Sequence, residues 1–187
     1  VGALVGGVNP IEGAVVGAGT VLNPRDLDAA KRLLAESSYA GQPVVCLVAQ
    51  DQPMTKSQGD VTADLLKRLG FNVDFVATDW GTVGQRRAMK TPLNQGGWSM
   101  FHTWHAGAEC VNPATQIQLR ANGGEGSWFG WPDLPPVEAA IAEWYDAPDL
   151  EAEKAVIRKL NRAALEGVVY APTGFFLGYT AWRRNVS

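Results

Sequence analysis

Residues 44–49, Val-Val-Cys-Leu-Val-Ala, are an unbroken apolar run set between Gly41-Gln42-Pro43 and Gln50-Asp51. A run this short, with no polar position to turn toward water, reads as a strand buried on both faces. Parallel sheets covered by helices on both sides demand such strands. The next residues agree with that reading. Pro53 stands where a helix begins, Val61, Leu65, Leu66 and Leu69 recur at helical spacing, and Gly70 suits the C-terminal cap. Phe71-Asn72-Val73-Asp74-Phe75-Val76-Ala77 then reads as a second strand. Strand, helix and strand joined by short connections form a βαβ unit, whose strands run parallel through a right-handed crossover.

The rest of the chain extends this α/β pattern. Asp26 is placed to cap a helix in which Leu27, Ala30, Leu33 and Leu34 make the apolar stripe. Asp79 or Thr82 opens a short helix through Arg86, Arg87 and Met89, and residues 98–104 read as a third strand after the Gly96-Gly97 break. Residues 105–136 are loop-rich, with one helical turn expected between 113 and 119. Two helices follow, over 136–146 and 149–165, with Trp144 on the same stripe as Val137, Ala140 and Ile141. A last strand is expected over 175–179, while residues 1–20 suit only short helical pieces. The expected fold is therefore α/β, a mixed sheet with flanking helices, in a single domain over residues 1–187. The neighbours at both ends, Val1-Gly2-Ala3-Leu4-Val5 and Trp182-Arg183-Arg184-Asn185-Val186-Ser187, read as cut, so a fragment of a longer chain is expected.

Composition excludes several classes of function. With 46% of its residues apolar and 19% charged, the chain can build a core and is no disordered segment. Its 16 basic residues against 19 acids leave no basic excess for a nucleic-acid partner. Apolar stretches are broken by Gly, Pro, Asn or charge well short of the ~20 residues that span a bilayer. Cys46 and Cys110 are the only cysteines, and whether they pair or remain buried thiols is open.

Catalytic signatures are sparse. There is no G-x-S-x-G nucleophile elbow and no phosphate-binding loop, and the glycines of the first twenty residues follow no strand. His102, His105, Glu109 and Cys110 carry metal-ligating or hydrolytic groups and define an enzyme alternative. On a strand, however, His102 and His105 face opposite sides, so no metal site and no cofactor is expected. The second notable segment is Trp128-Phe129-Gly130-Trp131-Pro132, aromatic rings in a glycine-rich loop. It reads equally as a plug that pins the loop and as a ligand wall.

Five segments in order resemble the family 5 extracellular solute-binding proteins, the dipeptide, oligopeptide and nickel receptors of ABC importers. Asp28-Ala29-Ala30-Lys31-Arg32-Leu33-Leu34-Ala35-Glu36 with Tyr39-Ala40-Gly41 is similar to the family's A-K-x-L-L-A-E-A-G-Y helix. Ala63-Asp64-Leu65-Leu66-Lys67-Arg68-Leu69-Gly70-Phe71-Asn72-Val73 is similar to its step from helix to strand, and Gly97-Trp98-Ser99-Met100 with Trp104 to its G-W-D-M…W. Trp128-Phe129-Gly130-Trp131-Pro132 and Pro172-Thr173-Gly174-Phe175-Phe176 followed by Ala181-Trp182-Arg183-Arg184-Asn185-Val186 complete the set. The resemblance implies the C-terminal lobe of a type II periplasmic-binding fold, taken from a two-lobed receptor whose precursor carries a signal peptide. It implies no catalysis. The function implied is capture of a peptide-like solute between two lobes and delivery to a membrane permease. The location implied is the periplasm, or a membrane-anchored extracytoplasmic position in a Gram-positive cell, and the lobe is expected to be monomeric. Ligand-binding residues implied are Trp104, Glu109, Asn112, Trp128, Phe129 and Trp131. Where peptide-binding members read W-x-x-D-x-x-D-P, this chain has Glu109 as the nearby acid and Asn112 before Pro113.

Overall fold

The apolar run is the middle strand of a three-stranded sheet. The computed structural model describes residues 26–174, 176, 178 and 181–183. In it β1 (Val44–Ala49) lies between β2 (Val73–Thr78) and β3 (Met100–Phe101) in the order β2-β1-β3. Val44 pairs with Val73 and Ala49 with Thr78, while Cys46 and Leu47 pair with Met100 and Phe101, all in parallel. Both pairings among the described strands are parallel, because a helix carries the chain back to the same end of the sheet before the next strand begins. The strand expected over 175–179 falls outside the described residues apart from Phe176 and Gly178, as do the helical pieces expected over 1–20.

β1 is buried on both faces, as its composition requires. Val45, Leu47 and Ala49 form a cluster with Val83, and Val76, Trp80, Trp98 and Phe101 pack against it. On the other face Val48 meets α2 (Pro53–Leu69), preceded by α1 (Leu27–Glu36). The contact is close. A Cβ added at Gly59 would stand 2.5 Å from a Val48 methyl. Small side chains are what permit such approach, and Thr55, Gly59 and Ala63 are the buried residues of α2. The leucine and valine stripe read from the sequence is not the buried face: Val61 is 70% exposed and Leu65 37%. Large residues in place of Thr55, Gly59 and Ala63 would have held the helix farther from the sheet.

α1 is capped as expected, with the Asp26 carboxylate accepting from the Ala29 N–H at 2.7 Å. No residue of α1 is buried, and Leu33 of its stripe is 67% exposed. The turn after it is clamped by Tyr39, whose hydroxyl donates to the Gln42 carbonyl (2.7 Å) and accepts from Asn72 N–H (2.8 Å). α3 (Trp80–Arg86) starts at Asp79, whose carboxylate accepts from the Thr82 N–H at 2.9 Å and from its hydroxyl at 2.6 Å. The turn leading to β3 requires glycine, since a Cβ at Gly97 would sit 2.1 Å from the Thr91 carbonyl oxygen. β3 is shorter than the expected strand because the chain leaves β1 at His102.

α4 (Pro135–Tyr145) and α5 (Leu150–Glu166) form a helical pair with its own core. Val137, Ala140 and Ile141 of α4 meet Val156, Ile157, Leu160 and Ala164 of α5, with Leu119 and Ala121 closing the cluster and Trp144 packed half-buried against it. Asp149 caps α5 through the Ala152 N–H, and Lys159 pairs with Glu143 across the two helices. Among the described residues no helix is long and apolar enough to cross a membrane.

Candidate ligand cleft

The three parallel strands end on the same side, and the residues immediately after them converge. Gln52 follows β1, Trp80 follows β2, and Thr103, Trp104, His105 and Ala106 follow β3. In open parallel sheets the space outside the carboxyl ends of the strands is where ligands bind, because the turns there diverge and leave a crevice. Here they line a cleft of about 440 Å³, completed by Arg87, Glu109, Thr115, Ile117 and Trp128. That volume suits a small solute.

The aromatic loop supplies one wall. Asn122 and Asp133 bridge its two ends, the Ser127 hydroxyl donates to the Asn122 side chain at 2.8 Å, and Trp131 N–H donates to the Trp128 carbonyl at 2.8 Å. Leu134 N–H donates to the Ala121 carbonyl at 2.8 Å, which ties the loop to the start of α4. The rings then divide their work. Trp128 faces the cleft and lies edge-on to His105, with centroids 5.3 Å apart. Phe129 packs behind it against Phe101 at 6.5 Å. Trp131, held at φ 49°, is 6.3 Å from Trp98 and carries the Lys90 ammonium 4.6 Å over its ring. Plug and wall are both present, on different residues.

Of the ligand residues expected from the sequence, Trp104, Glu109 and Trp128 meet in this cleft. Trp104 is 50% exposed and touches only Phe176 among the described rings, at 6.3 Å. Phe129 is half-buried behind the wall. Asn112 stands elsewhere in role: its side-chain oxygen accepts from the Ala114 and Thr115 N–H groups at 2.9 and 3.1 Å and so holds the turn after Pro113. Trp131 lines a separate hollow of about 360 Å³ with Met89, Lys90 and Trp98.

The residues of the enzyme alternative are engaged individually. His105 Nδ1 lies 3.1 Å from a Glu109 carboxylate oxygen. Cys110 is a buried free thiol, pushed up in pKa by burial and then by Glu109, and accepts from the Gln118 amide at 3.5 Å. Cys46 is likewise free and buried in β1, so the two cysteines do not pair. Among the described residues no group of three or more His, Cys, Asp or Glu side chains is arranged to hold a metal ion.

His102 is buried, with Nε2 2.9 Å from the Thr62 hydroxyl of α2. Burial pushes its pKa below the ordinary 6.5. Once pH falls beneath that value the unfolded chain takes up a proton that the folded chain refuses, so stability is full above it and falls on acidification toward the folded-state pKa. Urea unfolding at about pH 7.5 and about pH 5.5 is expected to show this loss, and a smaller one in His102→Asn. The variant keeps every other titratable group, so equal losses in both proteins would remove the assignment.

Sequence reasoning missed Gln52, Trp80, Arg87, Thr115 and Ile117. For Gln52 and Trp80 a signal existed: each follows the carboxyl end of a strand that was legible, the one place where a parallel sheet exposes its turns. Arg87 stands directly after α3 and is enclosed by four rings from three segments. Nothing local in the sequence announces that enclosure. Burial lowers its pKa from the usual arginine value.

A layer of helices on a parallel sheet, with a ligand-sized cleft at the strand ends, is the architecture of a lobe of the type II periplasmic-binding fold. No protein-family model matches the chain. It is 34% identical over 162 residues to the probable peptide ABC transporter periplasmic-binding protein y4tO of Sinorhizobium fredii, covering 87% of this chain and 30% of that protein. The fold is also that of the ABC transporter substrate-binding protein CtaP of Listeria monocytogenes, with a TM-score of 0.63 at 14% identity over 78% of this chain and 29% of CtaP. A dipeptide-binding protein of Pseudoalteromonas sp. SM9913, solved with Met-Leu, matches with a TM-score of 0.59 at 18% identity over 79% of this chain and 29% of its own. These likenesses agree with the family that the chain's motifs resemble. It spans about 30% of the length of the curated relative it matches.

Proposed function

We propose that this chain is the C-terminal lobe, folded as one domain, of a two-lobed extracytoplasmic receptor that captures a peptide-like solute and hands it to the permease of an ABC importer. The observation that carries the reading is the cleft itself: Trp104, Glu109 and Trp128 come together at the carboxyl ends of three parallel strands, on a surface left open on one side. The likeness to y4tO, a periplasmic-binding protein of a peptide transporter, supports the same reading. The lobe works by differential binding between open and closed receptor states and catalyses no reaction. It acts in the periplasm, as a monomer, with no nucleic-acid partner.

Within the cleft, Trp104 and Trp128 offer ring faces to the solute's apolar parts. Glu109 is the acid available to a ligand ammonium, and its side chain is 53% exposed with one oxygen beside His105. A buried ammonium requires such an anion. Phe129 supports Trp128 from behind, with ring centroids 4.9 Å apart. The test is thermal melting of the intact receptor with a pooled dipeptide library. A ligand present at a hundredfold excess over its Kd stabilises the folded receptor by about 2.7 kcal/mol. A rise in melting temperature is the expected outcome; no rise with the pool would contradict a peptide receptor.

A further inference from the structure

Trp128 can serve as a ligand wall only if its loop is fixed, and residues 122–133 carry four glycines, which makes fixing them costly in chain entropy. The described hydrogen bonds of the loop close it on itself or tie it to its own base. The Ser127, Trp128 and Trp131 backbone N–H groups, for example, donate to the Gly124, Arg120 and Trp128 carbonyls. What joins the loop to the sheet is aromatic. Phe129 and Trp131 meet Phe101 and Trp98 at 6.5 and 6.3 Å, near the long end of the range over which rings attract. Two cations from the segment after α3 lie on the same loop. The Arg87 guanidinium carbon is 4.4 Å from the Phe129 centroid and 5.6 Å from that of Trp128, and the Lys90 ammonium is 4.6 Å over Trp131.

The segment that carries these cations is itself held firmly. The Arg87 backbone N–H donates to the Val83 carbonyl at 2.9 Å, and Arg86 Nε and Nη2 donate to the Gly96 and Gly97 carbonyls at 3.0 and 3.1 Å. Among the described residues neither Arg87 nor Lys90 has a carboxylate partner, which leaves ring faces as the groups that meet their charge. Trp131 is held at φ 49°, left-handed backbone that a bulky residue keeps only where its surroundings over-determine it. Here Trp98 and Lys90 both lie against its ring.

We propose that Arg87 and Lys90, three residues apart, are positioning residues that clamp the aromatic loop onto the sheet and so hold Trp128 in place as a ligand wall. This rests on the receptor reading above and adds the means by which its cleft keeps its shape. A ring attracts a cation through its negative face, and the attraction grows when the cation is withdrawn from water, as Arg87 partly is. Lys90 is exposed and lines the separate hollow beside Trp131, so it reaches a solute in the cleft only through the loop. Its effect on binding is therefore diagnostic of the clamp.

Hydrogen exchange over residues 122–133 of the intact, solute-free receptor measures how firmly the loop is held. Arg87→Met and Lys90→Met keep an unbranched stem and remove the charge. Loop exchange is expected to rise about tenfold or more in the first and about two- to fivefold in the second, as desolvated and exposed cation–π contacts differ, with β1 unchanged. Arg87→Lys and Lys90→Arg keep a cation and are expected to restore most of the protection. In thermal melting with the dipeptide pool, Lys90→Met is expected to need correspondingly higher concentrations than wild type, and Lys90→Arg wild-type ones. Unchanged loop exchange in both methionine variants, or no recovery when the cation is restored, overturns the clamp and leaves the receptor reading standing. Faster loop exchange in Lys90→Met with an unchanged response to the pool overturns the positioning role in the same way. If wild-type receptor does not respond to the pool, the peptide reading falls, and exchange alone still decides whether the two cations hold the loop. Lys90 is on the surface, so its variants carry the test even where Arg87→Met fails to fold.

Discussion

Replacing Trp104 by alanine is expected to abolish most solute uptake by the intact receptor while leaving the stability of this lobe nearly unchanged. The two halves of that expectation come from one fact, that the ring is 50% exposed in the lobe and meets only Phe176 among described rings. Truncating a side chain that already faces water removes little burial, and one edge-on ring contact is worth ~0.5–1.5 kcal/mol. In the closed receptor the same ring would be covered by solute and by the opposite lobe. Aromatic anchors in such desolvated positions typically cost 2 kcal/mol or more when truncated, roughly a thirtyfold loss of affinity. Urea unfolding of the variant and uptake of labelled dipeptide by cells expressing it would measure the two effects separately. A large stability loss, or normal uptake, would show that Trp104 is a core residue rather than a ligand wall.

The layers of the fold were legible to different degrees, for physical reasons. Val44–Ala49 could be placed at the sheet centre because a short strand without polar positions has nowhere else to go. Asp26, Asp79 and Asp149 marked helix starts because their carboxylates satisfy backbone N–H groups that a helix leaves unpaired. The buried face of α2 was misread. Periodicity finds large apolar residues, whereas this helix approaches the sheet through Thr55, Gly59 and Ala63. The cleft was half legible. Trp104, Glu109 and Trp128 came from motif resemblance, but Asn112 serves its own turn and Trp131 a different hollow. Arg87 was invisible because its meaning lies in four rings, from Trp80, Phe101, Trp128 and Phe129, that only the folded chain gathers.

The isolated 187-residue chain is expected to bind solute at millimolar Kd or worse. Pockets usually bury 70–90% of a small ligand, and that requires walls on both sides. The described residues supply one wall, and the proposed function assigns the second to a further lobe. A millimolar Kd corresponds to about 4 kcal/mol of binding energy and a micromolar one to about 8 kcal/mol, so on the two-lobed proposal the second wall would account for roughly a thousandfold in affinity. A second wall would also exclude the water that weakens contacts to a charged cleft residue such as Glu109. Titration calorimetry of one dipeptide that stabilises the intact receptor, run in parallel on the receptor and on this chain shown folded by circular dichroism, tests the two-lobed account directly. The account predicts binding by the receptor and a Kd at least about a thousandfold weaker for the chain alone; micromolar binding by the chain alone would contradict it.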